Sequence, residues 1–219
     1  MASKDEIRAG HRAVRGSLTR TALDSAGAGI ARHGLAWAAG LTGGKPGTFA
    51  AYLGVGSEPP TLPLLAALHD AGHRILLPVC EPELALSWVY WTPASGFVRS
   101  RYAPIQEPEG PRHGTAVMRD ADGIFLPATA VDLSGNRIGQ GGGYYDKFLA
   151  ALSALLAPPA PDGGTLPPLP TAAVVYDSEL LPGGSIPAES FDRKVAAALT
   201  PVGLVWLQEG SPSKDTLPG

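Results

Sequence analysis

The chain of 219 residues is 44% hydrophobic and has a formal charge of −3, which excludes wholesale disorder and argues against a nucleic-acid-binding surface. It contains neither a secretory signal pattern nor an apolar run long enough to cross a membrane, so we expect no membrane partner. The lone Cys80 precludes an internal disulfide and favours a reducing compartment, so we predict a cytoplasmic protein with a buried, inert thiol.

The N-terminal segment predicts a capped helix with one basic face. Ser3 and Glu6 have the spacing of a capping box, in which each side chain satisfies a backbone N–H of the first turn. Basic residues follow at spacings of four, four and three, so one face carries Lys4, Arg8, Arg12 and Arg15. A terminal basic face is commonly a solvated arm. The alternative is that Lys4 and Arg8 lean over an anion bound elsewhere in the fold.

Beyond this helix, apolar runs and helical patterns alternate, which indicates an α/β fold. A second helix is predicted from about Asp24, followed by a linker at 40–47. Apolar runs predict strands at 49–55, 74–79, 84–91, 123–128, 171–177 and 202–207, and helical patterns lie at 61–71, 144–156 and 193–199. We predict one three-layer, Rossmann-like domain over residues 1–208, with a mostly parallel central sheet flanked by helices.

Two further segments are predicted to lie outside this packed unit. Residues 158–170 contain six prolines and two glycines, which is typical of an exposed loop. Residues 209–219 are polar and interrupted by proline, and we expect a flexible tail.

The first strand is followed by a charged residue at a position of interest. Glu58 lies in the loop at the carboxyl end of that strand, where open α/β sheets hold their ligands. A binding carboxylate and an ordinary exposed loop carboxylate are both compatible with this position.

The clearest functional pattern is a glycine loop that precedes a helix. Gly139, Gly141, Gly142 and Gly143 occupy four of five positions, and helical apolar spacing begins at Tyr144. Such a loop presents backbone N–H groups at the positive end of a helix dipole, which favours phosphate, and Asp146 in the first turn could hold magnesium beside it. A flexible turn before an acidic first helical turn is the simpler alternative.

Familiar motifs do not account for this loop. A P-loop requires a Gly-Lys-Ser/Thr ending, and the dinucleotide fingerprint requires a glycine where Tyr144 stands. The sequence also lacks a Gly-x-Ser-x-Gly elbow, and Gly72 interrupts the helix that would align His69 with His73. The remaining phosphate donors, basic groups and carboxylates suit phosphoryl chemistry, in which catalysis is mostly positioning and charge neutralisation.

Several motifs together resemble one known family. Residues 135–146 match the pattern Gly-Asn-Arg-Leu-Gly-x-Gly-x-Gly-Tyr-Tyr-Asp, with Ile138 in the leucine place. Further matches are distributed along the chain: Lys4 with Arg8, Leu53 with Glu58, the segment from Phe125 to Asp132, and Ile186-Pro187 with Asp192. On these residues the chain resembles the 5-formyltetrahydrofolate cyclo-ligases, also called methenyltetrahydrofolate synthetases.

The resemblance implies ATP-dependent closure of 5-formyltetrahydrofolate to 5,10-methenyltetrahydrofolate, with release of ADP and phosphate, on an isomerase/CoA-transferase-type α/β fold. It implies a monomer or weak dimer and no protein nucleophile. The ATP-binding residues would be Lys4, Arg8, Arg137, Ile138, Gly139, Gln140, Gly141, Gly142, Gly143, Tyr144 and Tyr145. The folate site would comprise Leu53, Glu58, Gln140, Gly141, Gly142, Gly143 and Tyr144. Magnesium would be held by Asp146 and Asp192.

Some positions depart from the family pattern. Gln140 stands where many members have arginine, Glu179 where glutamine is common, and Phe191 where histidine or asparagine precedes the aspartate. A glutamate facing a polyanion would be unfavourable, so Glu179 is expected to alter substrate preference if it faces the site. Two other functions stay open: a catalytically silent folate or nucleotide binder, and a phosphosugar isomerase or acyl-transferase-like enzyme.

Overall fold

A computed structural model describes residues 2–157, 168–189 and 192–207. The helices are α1 (Lys4–Gly16), α2 (Arg20–Thr42), α3 (Leu62–Asp70) and α4 (Tyr144–Leu156). The first six strands are β1 (Thr48–Ala50), β2 (Arg74–Cys80), β3 (Leu86–Trp91), β4 (Phe97–Arg99), β5 (Gln106–Pro108) and β6 (Gly123–Pro127). The others are β7 (Ala130–Asp132), β8 (Arg137–Ile138), β9 (Thr171–Val174), β10 (Leu180–Leu181), β11 (Ala197–Thr200) and β12 (Gly203–Trp206).

The centre of the structure is a seven-stranded sheet in the order β12-β11-β9-β6-β1-β2-β3. Its five inner strands are parallel, and an antiparallel strand lies at each edge. The predicted mostly parallel sheet is therefore confirmed. Because the chain extends from β1 to β2 on one side and later from β6 to β9 on the other, β1 and β6 flank the topological switch point.

Alternating side chains of the inner strands build a core on each face of this sheet. One core packs against α2 and α3 and includes Phe49, Ile75, Phe125 and Val174. The next residue along each strand points to the opposite face of the sheet. There Ala50, Leu76 and Ile124 pack in a second core with Phe148 of α4. Helix α2 lies close to the turn after β11, since a Cβ added at Gly29 would lie 2.2 Å from the Pro201 carbonyl oxygen.

A small sheet, β10-β7-β8, fixes α1 beside the main sheet. Ile7 of α1 packs against a core cluster formed by Ala130, Ile138 and Ile186. Buried Asp132 holds the surrounding turns: its carboxylate accepts hydrogen bonds from the backbone N–H groups of Ser134, Asn136 and Ile186. Because these partners are backbone groups, the Asp132 carboxylate has a structural role here.

The structure corrects several predicted boundaries. Helix α2 begins at Arg20, where Thr19 caps it, and it continues to Thr42 into the predicted linker. Strand β1 is only three residues long, although the Ala51 N–H still donates to the Leu76 carbonyl oxygen of β2 at 2.9 Å. Within the described part of the chain, no helix meets the length and apolarity that a membrane span requires.

The prediction of a helix at 193–199 is wrong. Ala197–Thr200 form β11, which is fully buried between β9 and β12. The local run of alanines favours a helix, but pairing on both sides in the sheet overrides that propensity. Most of the predicted loop at 158–170, Phe191 and the predicted tail lie outside the described residues.

Candidate active site

A cleft of about 1140 Å³ lies at the carboxyl ends of β1, β2 and β6. The loop after β1 forms one part of its wall and the glycine loop before α4 another. Helix α1 closes a third side with Lys4, Arg8, Arg12 and Arg15. The cleft therefore lies at the switch point of the sheet, which is where α/β folds commonly bind ligands.

The glycine loop has a backbone conformation that depends on glycine. Gly141 has φ +97° and Gly143, the residue that precedes α4, has φ +76°. Side chains with a Cβ rarely adopt such angles. Among the described residues, no side chain caps the start of α4. The first turn of the helix therefore presents backbone N–H groups and the positive end of its dipole at the cleft.

Helix α1 lies over this loop and is not a solvated arm. Arg8 Nε donates to the Gly139 carbonyl oxygen at 2.9 Å. Lys4 Nζ donates to Asp192 Oδ2 at 2.6 Å and to Glu189 Oε2 at 2.8 Å. Burial by itself would lower the pKa of Lys4, but these hydrogen bonds raise it above its ordinary value, so Lys4 carries its charge at neutral pH.

A third cation, Arg137, is more deeply buried in the cleft. The Arg137 side chain is 2% exposed, and its Nη2 donates to Asp146 Oδ1 in the first turn of α4. A Cβ added at Gly139 would lie 3.0 Å from Arg137 Nη1, so a larger residue at 139 would crowd this guanidinium. The arginine of β8 and the first turn of α4 are thus joined directly beneath the glycine loop.

Glu58 meets the glycine loop across the cleft. Its Oε2 accepts from the Val55 N–H at 3.1 Å, and its Oε1 accepts from Gln140 Nε2 at 3.0 Å. Gln140 also receives a longer contact, 3.4 Å, from Arg12 Nη2. Leu53 is half-buried on the same wall. Gln140 therefore connects the loop after β1 with the basic face of α1.

Asp146 and Asp192 both line this cleft, and each is paired with a cation. Among residues 2–157, 168–189 and 192–207, no three His, Cys, Asp or Glu side chains form a metal-binding group. Magnesium in phosphate sites is commonly held by one or two carboxylates, with substrate phosphates and water as the other ligands. The two aspartates are compatible with that donor set.

Of the residues predicted to bind ligands or metal, only Ile138 does not line the cleft. Its side chain is 1% exposed and packs in the cluster with Ala130 and Ile186. The placement of Ile138 therefore does not support a direct contact between its side chain and ATP. The leucine-like residue of the motif instead anchors β8, which carries Arg137 into the cleft.

Glu179 does not line the cleft, so the condition under which it would alter substrate preference is not met. Glu179 is 1% exposed and accepts two hydrogen bonds from Arg15, at 2.6 and 2.8 Å. Its charge is therefore compensated inside the protein.

Sequence reasoning missed Tyr52. This residue is 4% exposed and lines the cleft, as does Tyr145, and neither hydroxyl has a partner among the described residues. Burial raises the pKa of both hydroxyls, so each keeps its proton at neutral pH. Tyr52 lay in a run interpreted as wholly apolar, so the sequence offered no functional signal.

Cys80 is buried as predicted, at the edge of the cleft. Burial is the largest influence on its thiol and, with neighbouring Glu107, raises its pKa to about 11. The group is thus neutral near pH 7 and poorly nucleophilic.

The mostly parallel sheet, with a cleft at its switch point, defines an α/β protein with the ligand-site arrangement common to that class. The model of the 5-formyltetrahydrofolate cyclo-ligase family matches residues 1–201. The chain belongs to that family, and the resemblance inferred from its motifs is confirmed.

Relatives of known name agree with this assignment. The 5-formyltetrahydrofolate cyclo-ligase of Mycolicibacterium smegmatis is 36% identical over 159 residues, which cover 70% of this chain and 73% of the relative. The enzyme of the same name from Escherichia coli K12 is 30% identical over 161 residues, with coverage of 73% and 80%.

Solved structures support the fold. The 5,10-methenyltetrahydrofolate synthetase of Aquifex aeolicus matches with a TM-score of 0.67 and 23% identity, over 97% of this chain and 96% of that one. The enzyme of the same name from Mycoplasma pneumoniae matches with a TM-score of 0.65 and 14% identity, over 91% and 99%. At these identities the likeness concerns the fold.

Proposed function

We propose that this protein catalyses the ATP- and Mg²⁺-dependent conversion of 5-formyltetrahydrofolate to 5,10-methenyltetrahydrofolate, with release of ADP and phosphate, in the cytoplasm. The observation that carries the proposal is a convergence: the glycine loop, the basic face of α1 and Glu58 line one cleft. Family membership supplies the reaction, and the cleft provides groups suited to both a polyphosphate and a folate ring.

The chemistry requires no protein nucleophile. The formyl oxygen is a poor leaving group, so it first attacks the γ-phosphorus of ATP, forming an O–P bond as the bond to ADP breaks. N10 then attacks the activated formyl carbon and loses its proton. The C–O bond breaks with departure of inorganic phosphate, which leaves the methenyl bridge. The protein has to align the two substrates and neutralise the charge that develops on the transferred group.

The nucleotide side of the cleft supplies that neutralisation. Backbone N–H groups of the glycine loop and the cations Lys4, Arg8 and Arg137 surround the position assigned to the phosphates. Asp146 and Asp192 are the residues we assign to Mg²⁺, which when bound would offset phosphate charge. These aspartates pair with Arg137 and Lys4. Those pairings hold four charged groups in place around the cleft.

The folate side is assigned to Leu53, Glu58 and Tyr144, with the glycine loop beside them. A pterin ring has a row of N–H donors that a carboxylate accepts, whereas a carboxylate repels phosphates. Gln140, hydrogen-bonded to Glu58, lies where the two substrates would meet. Because the Gln140 amide is neutral, it can orient the Glu58 carboxylate without attracting the phosphates as a cation would.

The test is to mix the protein with 5-formyltetrahydrofolate and Mg-ATP and to follow the absorbance of methenyltetrahydrofolate. We expect product, ADP and phosphate in equal amounts, and no product when ATP is omitted. Tight folate binding without ATP-dependent product would instead identify a catalytically silent binder. ATP-independent turnover of a sugar phosphate would favour an isomerase-like function.

A further inference from the structure

Next to the cleft lies a buried ion pair that the reaction chemistry does not use: Arg15 lines the cleft, and its partner Glu179 lies behind it. Arg15 and Glu179 have side chains that are each 2% exposed. Arg15 Nε donates to Glu179 Oε1 at 2.6 Å, and Arg15 Nη2 donates to Glu179 Oε2 at 2.8 Å. The same Nη2 donates to the Ala128 carbonyl oxygen at 2.8 Å, directly after β6. The last turn of α1 is thus attached to two loops at the carboxyl edge of the sheet.

A tyrosine extends this pair towards Glu58. The Tyr176 N–H donates to Glu179 Oε2 at 2.9 Å, and the Arg15 guanidinium lies 5.6 Å from the centre of the Tyr176 ring. At the other end of that ring, the hydroxyl lies 3.3 Å from the Ser57 carbonyl oxygen and 3.2 Å from that of Glu58, as a donor to both. Contacts therefore run without a break from α1 to the loop that carries Glu58.

The geometry of this hydrogen-bond network indicates that it holds other residues in place. Burying two charges removes their hydration, which an ion pair offsets only when its geometry is good and its other hydrogen bonds are made. Both conditions are met here. Arg15 belongs to the same 13-residue helix as Lys4 and Arg8, so fixing Arg15 also fixes where those cations stand over the glycine loop.

We propose that Arg15, Glu179 and Tyr176 form a buried brace that positions both halves of the active site. Arg15 and Glu179 set the placement of Lys4 and Arg8 on the nucleotide side. Tyr176 sets the backbone of the Glu58 loop on the folate side. The inference rests on the proposed function for the identity of the two ligands. These three are positioning residues, since they act through groups that would contact substrate.

Tyr176→Phe tests the folate arm with little disturbance to packing. Losing a neutral hydrogen bond changes affinity by about two- to tenfold. We expect KM for 5-formyltetrahydrofolate to rise by about that factor, with KM for ATP and the melting temperature nearly unchanged. The matched control is Tyr90→Phe, because Tyr90 also faces an arginine, Arg74 at 5.3 Å, and does not line the cleft. An unchanged folate KM, or equal rises in both constants, would overturn this arm.

Arg15→Lys tests the nucleotide arm in a double-mutant cycle with Lys4→Ala, with binding of a non-hydrolysable ATP analogue measured by calorimetry. The lysine keeps the charge but cannot form the bidentate contact that Arg15 makes with Glu179. We expect affinity to fall by about five- to tenfold in the parent and by less than about twofold in Lys4→Ala, because Lys4→Ala removes a group through which Arg15 acts. Residues at opposite ends of α1 without this coupling would give additive losses. Fully additive losses would refute positioning through α1.

Two checks keep the outcomes distinct. Arg20→Lys alters an exposed ion pair with Asp24 on α2, so it should leave ATP-analogue binding unchanged. If Arg15→Lys does not fold, Glu179→Gln enters the same cycle, and the Tyr176 measurement stands independently. Binding of the ATP analogue needs no turnover, and in the Tyr176→Phe comparison the affinity for 5-formyltetrahydrofolate is also measured by calorimetry beside KM. A parent protein that binds both ligands but forms no methenyl product would therefore contradict the proposed reaction while still testing the brace.

Discussion

Replacing Glu58 by glutamine removes one charge from the cleft and leaves its shape almost unchanged. The Glu58 carboxylate accepts from the Val55 N–H and from Gln140 Nε2. A glutamine at 58 keeps one acceptor oxygen for the backbone N–H and presents an NH₂ group towards Gln140. The Gln140 amide can turn its own oxygen to that NH₂ group, so we expect the loop after β1 to stay in place.

The functional loss then reports the contact between the carboxylate and the folate ring. A hydrogen bond to a charged group contributes about 1.5–3 kcal/mol, which corresponds to about ten- to a hundredfold in affinity. We expect Glu58→Gln to raise KM for 5-formyltetrahydrofolate by about tenfold or more. KM for ATP should stay nearly constant, because a carboxylate does not attract phosphates.

The assay is the initial rate of methenyl absorbance, with each substrate varied at saturating concentration of the other. Glu109→Gln is the matched control: this glutamate is exposed and does not line the cleft, so neither constant should change. A rise in KM for ATP in the Glu58 variant, or no change in either constant, would refute the assignment of Glu58 to folate.

Three further predictions concern the same cleft. Arg8→Ala should weaken ATP by about ten- to a hundredfold and folate much less; an unchanged KM for ATP would argue against α1 as part of the nucleotide site. Asp146→Asn should strongly lower turnover while folate binding, measured by calorimetry, stays mostly intact; parallel losses would contradict the magnesium assignment. The pKa of about 11 at Cys80 predicts that alkylation by iodoacetamide near neutral pH is slow and accelerates as the pH approaches that value. Because this pKa is raised, the neutral thiol favours the folded state at neutral pH, and that contribution is lost as the pH rises through 11. Rapid labelling at neutral pH without unfolding would show that the thiol is not buried.

The sequence by itself determined the local features. The capping box of Ser3 and Glu6 and the helix that begins at Tyr144 lie where their patterns predicted them. Each depends on interactions within one or two turns, so neighbouring residues suffice to specify it. Motif resemblance added the family and a set of residues that, apart from Ile138, lines one cleft.

Only the tertiary structure decided how distant parts of the chain meet. Lys4 pairs with Asp192 across 188 positions, Arg15 with Glu179 across 164, and Gln140 with Glu58 across 82. Local propensity also favoured a helix where the chain forms β11. Strand order and the partner of a buried charge are set by the packing of the whole sheet, because burial and pairing energies depend on residues that no local window contains.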